Sequence, residues 1–177
     1  DPALRRMLPD DIPTEVSRCV TLSTFHGCPP DEIERIVEHL FSRHDVDVVL
    51  KFNPTLLGQD ALTEILIAQH GYHDLKLHQP AFDGDLKWAD ALALVARLRA
   101  VAARAGRALA VKFNNTLVVE NTRHVLPASE PLMYLSGQPL HLLAITLAQR
   151  FAAATAGEVP SSLSGGGDQL NCADVVA

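Results

Sequence analysis

The chain has 177 residues, of which 47% are hydrophobic and 20% are charged, and its net charge is −6 at neutral pH. This length and composition are typical of one globular domain with a buried core. The negative charge argues against a nucleic-acid partner, because binding phosphates requires a basic surface. No apolar run reaches the roughly 18 residues of a membrane helix, so we expect no membrane association. The chain has no initiating Met, and we expect it to be part of a longer protein.

The cysteines and the first residues predict a reduced, metal-free domain. Three cysteines, an odd number, without a secretory signal favour free thiols and a cytoplasmic location. Cys19, Cys28 and Cys172 lack the CxxC spacing of a zinc or iron–sulfur site, so none is expected within this chain. Residues 1–17 contain three prolines and several charges, and we interpret them as a linker or the tail of a preceding segment. Residues 18–177 are predicted to form the domain.

Strand and helix patterns alternate along the chain. Strands are predicted at residues 19–23, 46–52, 74–77, 108–113 and 159–163. Helices are predicted at residues 29–44, 60–70, 85–105 and 140–154, and a last helix begins at 168. Residues 118–133 are predicted to be a long loop, and loops of that length are uncommon unless they are functional.

This alternation predicts an α/β fold with a parallel sheet and right-handed crossovers. A complete (β/α)₈ barrel needs about 250 residues and eight strands. About five βα units therefore form either an incomplete barrel or an open, doubly wound sheet.

Polar side chains follow two of the predicted strands. Lys51 and Lys112 each end an apolar strand and are each followed by Phe-Asn. An ammonium at this edge of a parallel sheet suits an anion, such as a phosphate or a reduced flavin. The alternative is an ion pair with a neighbouring carboxylate, since a lone Lys in an apolar strand is costly. Asn53, Asn114 and Asn115 come next, and their amides suit either a uracil-like or flavin ring or a turn at the strand end.

A glycine-rich turn near the end of the chain is a candidate phosphate-binding site. Ser164, Gly165, Gly166 and Gly167 stand between a strand and a helix, where backbone N–H groups bind phosphate well. The alternative is a plain turn.

His26 and Cys28 follow the first strand and precede a helix, and they are candidate proton-transfer residues. A Cys at this place is predicted to have a lowered pKa. Alternatively, His26 only ends the strand and Cys28 packs as a small apolar group. Lys76 has the same strand-end form as Lys51, but its strand is weaker.

Five stretches resemble the YgfK family, whose members carry the name "putative selenate reductase subunit". They are TLSTFHGCPPDEIE (21–34), LKFNPTLLG (50–58), VKFNNTL (111–117), MYLSG (133–137) and SGGG (164–167). The resemblance implies a large bacterial oxidoreductase. Its N-terminal part is similar to the TIM barrel of dihydroorotate and dihydropyrimidine dehydrogenases. Its remainder is similar to the glutamate synthase small subunit, with iron–sulfur clusters, FAD and a pyridine-nucleotide site. This chain would be the C-terminal part of the barrel.

The resemblance also implies roles for particular residues. In the dehydrogenase barrels a strand Lys and an Asn-Thr pair approach the FMN ring, while a Leu-Ser-Gly segment and a Gly-Gly turn hold its phosphate. By motif these roles fall on Lys51 or Lys112, Asn115-Thr116, Ser136-Gly137 and Gly165-Gly166. The choice between the lysines stays open, because the predicted strands place one more βα unit between them than the dehydrogenases have. Gly27-Cys28-Pro29 is nearest to the active-cysteine turn, although Pro30 replaces the usual polar residue.

Three functions are compatible with these residues. The first is a flavin-dependent oxidoreductase domain that binds FMN, acts on a small planar or oxyanionic substrate, and receives electrons from partner domains with iron–sulfur clusters and FAD. The second is a degenerate barrel that serves as a docking module. The third is a lyase or aldolase that forms a Schiff base on Lys51 or Lys112. Because an incomplete barrel has open sheet edges, we also expect this piece to be marginally stable or oligomeric on its own.

Overall fold

The computed structural model describes residues 15–24 and 26–164. Its strands are β1 (Cys19–Ser23), β2 (Asp47–Phe52), β3 (Leu109–Phe113), β4 (Leu117–Glu120), β5 (Leu132–Leu135) and β6 (Ser161–Leu163). Its α-helices are α1 (Pro30–His39), α2 (Gln59–Leu62), α3 (Gln79–Gly84), α4 (Trp88–Ala105) and α5 (Gln138–Ala154). A π-helical segment, Leu40–His44, extends α1, and another, Thr63–Gln69, extends α2. A 3₁₀ turn spans Pro54–Leu57.

Four strands form a parallel sheet in the order β1-β2-β3-β6, and helices connect them. The predicted α/β fold with a parallel sheet is confirmed, and the described strands do not close into a barrel. Strands β2 and β3 are direct neighbours, so the extra βα unit predicted between Lys51 and Lys112 is wrong. Residues 74–77 do not join this sheet. Only Leu77 forms a bridge, to Val119 in the separate hairpin of β4 and β5.

The two faces of the parallel sheet differ in burial. On one face, alternate residues of β2 and β3 are fully buried under the helices, and the ring of Phe113 lies 5.4 Å from that of Phe151 in α5. On the other face, Lys51, Lys112 and their strand neighbours are half-buried. The nearly continuous apolar run of residues 46–52 predicts a strand that is covered on both faces, but the structure covers only one face of β2. The reason is that four strands in an open sheet leave the inner face without the opposite wall of a barrel.

Local signals explain where α1 begins and where α4 ends. Pro30, Asp31 and Glu32 open α1, where proline loses no hydrogen bond and acids meet the positive end of the helix dipole. Gly106 ends α4 with a φ of +66°, a left-handed conformation that glycine adopts readily. However, α4 begins at Trp88, not at Asp85 as predicted. The residues before it form α3, which the sequence patterns did not indicate.

Residues 121–131 of the predicted loop 118–133 form a loop, whereas its two ends belong to strands β4 and β5, which pair as a hairpin. Asn121 holds the segment between its strands: the amide nitrogen donates to the carbonyls of Leu126 and Glu130 at 3.0 and 2.9 Å. Its amide oxygen accepts the Leu126 N–H at 3.3 Å. In the described part of the chain, no helix is long and apolar enough to cross a membrane.

Candidate active site

The carboxyl ends of β1, β2 and β3 are tied together by one backbone carbonyl, that of Lys51. It accepts hydrogen bonds from the backbone N–H of Thr24 at 3.0 Å and from the Thr24 hydroxyl at 2.8 Å. The amide nitrogen of Asn115, just beyond β3, lies 3.4 Å from the same oxygen. The polar groups after the three strands are therefore held in one cluster.

A chain of side-chain hydrogen bonds runs through this cluster in one direction. Ser23 Oγ donates to Asn115 Oδ1 at 2.9 Å, and Asn115 Nδ2 donates to Asn53 Oδ1 at 2.8 Å. Asn53 Nδ2 then donates to Asp85 Oδ2 at 3.1 Å. Because each amide accepts on one side and donates on the other, the orientation of both is determined. The chain ends at a carboxylate, which only accepts.

Asp85 is the centre of this cluster, and it is 5% exposed. Its Oδ2 also accepts from Thr55 Oγ1 and from His26 Nδ1, both at 2.7 Å. Its Oδ1 accepts the backbone N–H of Gly27 at 2.9 Å. Burial alone would raise the pKa of Asp85, but the hydrogen bonds from His26, Thr55 and Gly27 outweigh it and lower that pKa. These contacts favour the ionised form of Asp85, whose two oxygens accept four hydrogen bonds in all.

The segment between α3 and α4 positions Asp85. Lys87, at the start of α4, donates to the backbone carbonyls of Phe82 and Asp83. Sequence reasoning missed Asp85, because an Asp in the stretch Asp83-Gly84-Asp85 is typical of an ordinary turn. The only available signal was its place just before a helix, and that does not indicate contact with a histidine 59 residues earlier.

His26 presents Nδ1 to Asp85, and its Nε2 has no hydrogen-bond partner among the described residues. Since the Asp85 carboxylate only accepts, Nδ1 of His26 carries a proton, and in the neutral ring the lone pair therefore lies on Nε2. The side chain is 25% exposed. The Tyr134 ring of β5 lies beside it, with centroids 6.4 Å apart and planes 27° from parallel. The hairpin thus covers one side of the imidazole.

The burial and the thiol pKa of Cys28 differ from what the sequence predicts. It is 4% exposed and belongs to the hydrophobic core. Burial raises the pKa of its thiol, and the carboxylates of Glu32 and Asp31 raise it further. The predicted lowering of this pKa is wrong, because burial of the thiol, and then the two acids in the first turn of α1, outweigh the effect of the helix dipole.

Lys51 and Lys112 form the middle of a polar row across the sheet. The strand register aligns Ser23 with Lys51, Lys51 with Lys112, and Lys112 with Ser162. In register on adjacent strands, the Cα atoms of the two lysines are about 4.8 Å apart. Neither lysine forms an ion pair with a carboxylate of the described residues. By contrast, Lys76 pairs with Glu120 at 2.6 Å, outside the parallel sheet.

Residues that the family resemblance assigns to the FMN phosphate lie near the same edge of the sheet. The pairing of Leu117 with Leu135 in the hairpin brings Ser136 and Gly137 back beside Thr116, and Gly137 is the residue just before α5. Ser164 Oγ donates to the backbone carbonyl of Asn114 at 3.2 Å. Residues Gly165, Gly166, Gly167 and Cys172 lie outside the described residues.

Asn114 is the one predicted site residue whose buried side chain is unsatisfied within the described chain. It is 3% exposed, and neither its amide oxygen nor its amide nitrogen has a hydrogen-bond partner there. Buried amides normally have partners, so this one has capacity for a bound molecule.

A cavity of about 260 Å³ lies away from this cluster, between residues 71–75 and the hairpin. None of the sequence-predicted site residues lines it. Within residues 15–24 and 26–164, no three His, Cys, Asp or Glu side chains are grouped closely enough to hold a metal ion.

The family model described as "Oxidoreductase YgfK, N-terminal TIM-barrel domain" matches residues 3–177. The chain belongs to this family. The YgfK resemblance noted above is thereby confirmed at the level of the family and of the TIM-barrel fold.

Two curated relatives carry the name "Putative oxidoreductase YgfK", from Escherichia coli strain K12 and from E. coli O157:H7. Each is 42% identical to this chain over 169 residues, which is 95% of the chain. The chain spans 16% of the length of each relative, so it corresponds to a small part of a YgfK protein. No solved structure matches the chain.

Proposed function

We propose that this chain is an FMN-binding part of the YgfK barrel, in an oxidoreductase that reduces or oxidises a small planar or oxyanionic substrate. The observation that carries the proposal is the pair of in-register lysines without a carboxylate among the described residues. Because the two lysines occupy aligned positions on the same face of the sheet, their positive charges repel each other, and a bound anion relieves that repulsion. A structural ion pair, the alternative for these lysines, has no support in the described contacts.

The residues at the sheet edge fit FMN in two respects. The amide of Asn114, which has no hydrogen-bond partner among the described residues, offers a donor and an acceptor to a ring with alternating carbonyl and N–H groups. Lys51 and Lys112 offer positive charge to the flavin ring or to the phosphate. In this proposal the ring contacts come from Lys51, Lys112, Asn53, Asn114, Asn115 and Thr116. The phosphate contacts come from Ser136, Gly137, Ser164, Gly165, Gly166 and Gly167.

Bound FMN would supply the electron-transfer chemistry that protein side chains lack. The chain's own residues bind and orient it, and the lysines favour negative charge at the sheet edge. Electrons would arrive from other domains of the YgfK protein, for which we propose iron–sulfur clusters and FAD. His26, at the same edge, is suited to move a proton to or from the substrate.

The test is an absorbance spectrum of the full-length YgfK protein purified without added cofactor, followed by heat release and separation of FMN from FAD. We expect one FMN per chain in the wild type and loss of FMN in Lys51→Ala and Lys112→Ala. Lys76→Ala is the matched control, because Lys76 is also a strand-end-like lysine but pairs with Glu120, and this variant should keep its FMN.

FAD without FMN in the wild type would contradict the proposal. In that case the barrel would serve as a docking module, or one of the lysines would form a Schiff base. Borohydride trapping with a carbonyl compound separates these outcomes, since it modifies a Schiff-base lysine covalently.

A further inference from the structure

The buried carboxylate of Asp85 has no part in the function proposed so far, and its contacts are unusual. Four donors surround it: the His26 ring, the Thr55 hydroxyl, the Asn53 amide and the Gly27 N–H. A carboxylate is the only side-chain group of this size that accepts from all of them without presenting a donor of its own. The pocket is thus built for a negative charge, and the His26 side chain is the only one of these donors that can titrate.

We propose that Asp85 is a positioning residue that makes Nε2 of His26 the proton-transferring atom of this site. The hydrogen bond to Asp85 keeps the proton on Nδ1 and turns the lone pair of Nε2 away from the protein network. A proton that arrives at Nε2 gives an imidazolium ion, which the adjacent carboxylate stabilises. The reverse step returns the proton from Nε2, so the histidine ends in its starting tautomer.

The difference in burial favours His26 over Cys28 as the proton-transferring residue. His26 is partly exposed at the sheet edge, whereas Cys28 is enclosed in the core and its pKa is raised by burial. Among the described residues, the titratable groups in contact with the His26 ring are Asp85 and the stacked Tyr134. Asp85 alone accepts a hydrogen bond from it.

The proton-transfer role rests on the proposed oxidoreductase function, whereas the orientation of the ring does not, and the experiment measures that orientation. Diethyl pyrocarbonate acylates an imidazole nitrogen that carries a free lone pair. The full-length YgfK protein is treated with it at pH 6 to 9, and mass spectrometry follows the rate at His26. The exposed His70 in the same sample is the internal reference.

We expect His26 to react readily in the wild type and its limiting rate at high pH to fall in Asp85→Asn. The fall should be about tenfold or more relative to His70, the scale of one charge-assisted hydrogen bond. Thr55→Val is the matched control. It removes another hydrogen bond of the same buried carboxylate but keeps the contact to His26, so its rate should stay close to that of the wild type.

Two results would overturn the proposal. An unchanged His26 rate in Asp85→Asn would mean that Asp85 does not determine the free nitrogen. An equal fall in Asp85→Asn and Thr55→Val would mean that the network only maintains the fold. Both results are independent of bound flavin, so the proposal about FMN can fail while this one stands.

Discussion

Asp85 shows how one side chain at the sheet edge makes stability depend on pH. Its pKa is held below the ordinary value of 3.8, because the hydrogen bonds to the ionised form outweigh the cost of burial. A carboxyl whose pKa is lowered by folding adds stability that is present above its unfolded pKa. This contribution is lost as the pH falls through the lower, folded pKa.

The free energy of unfolding of the barrel is therefore expected to fall on acidification from about pH 5 downward, and Asp85→Asn should lack this part of the dependence. At pH 7 the variant should lose about 1–3 kcal/mol, because an amide presents a donor to a pocket of donors. Pulse proteolysis in urea, read from fragments of this domain in the full-length protein, measures both effects.

Asp83→Asn is the control for this measurement. Asp83 is an exposed carboxylate two residues from Asp85, and its loss should change stability by less than about 0.5 kcal/mol. Parallel acid dependence in wild type and Asp85→Asn would show that the pKa of Asp85 is not lowered by folding.

At the scale of elements, the β4–β5 hairpin was the part least accessible to sequence reasoning. Its strands are four residues long, and Pro127, Pro131 and several charges between them favour a loop. What orders the segment is the buried side chain of Asn121, which makes three hydrogen bonds to backbone atoms within nine residues. An Asn in a polar stretch carries no signal that distinguishes this role from exposure to solvent.

Asn121→Ala is expected to loosen residues 122–131 at a cost of about 1–3 kcal/mol, since three backbone groups lose their partner. Hydrogen exchange with mass spectrometry should show faster exchange there, while α4 stays protected. Ser129→Ala, at an exposed position in the same segment, should exchange as the wild type does. Unchanged exchange in Asn121→Ala would mean that the loop is held by other contacts.

The longer elements were predictable because their signals are local. The strands β1, β2 and β3 are apolar runs, and α4 and α5 carry long periodic stripes. The error at the start of α4 has a physical cause: Asp85 and Leu86 fit the helical pattern, but Asp85 is instead held in extended backbone by its donors. The lysines and asparagines of the site could be proposed from their strand-end positions. Their partners could not, because contacts between distant segments depend on the tertiary fold.

At the scale of the whole molecule, the described sheet has edges at β1 and β6. Unpaired strand edges favour association with other chains. This chain expressed alone is therefore expected to form oligomers or to be only marginally stable, and light scattering with a urea titration tests this. A compact, stable monomer of this span would contradict the expectation.

The one-way chain of hydrogen bonds from Ser23 to Asp85 also has an evolutionary consequence. At Asn53 an aspartate of nearly the same shape would place a second carboxylate against Asp85, where the amide nitrogen now lies 3.1 Å from Oδ2. One of the two acids would then have to stay protonated. Substitutions at these two positions are thus expected to arise together and to be rare separately. Among diverged members of the family, positions 53 and 85 should covary although they lie 32 residues apart.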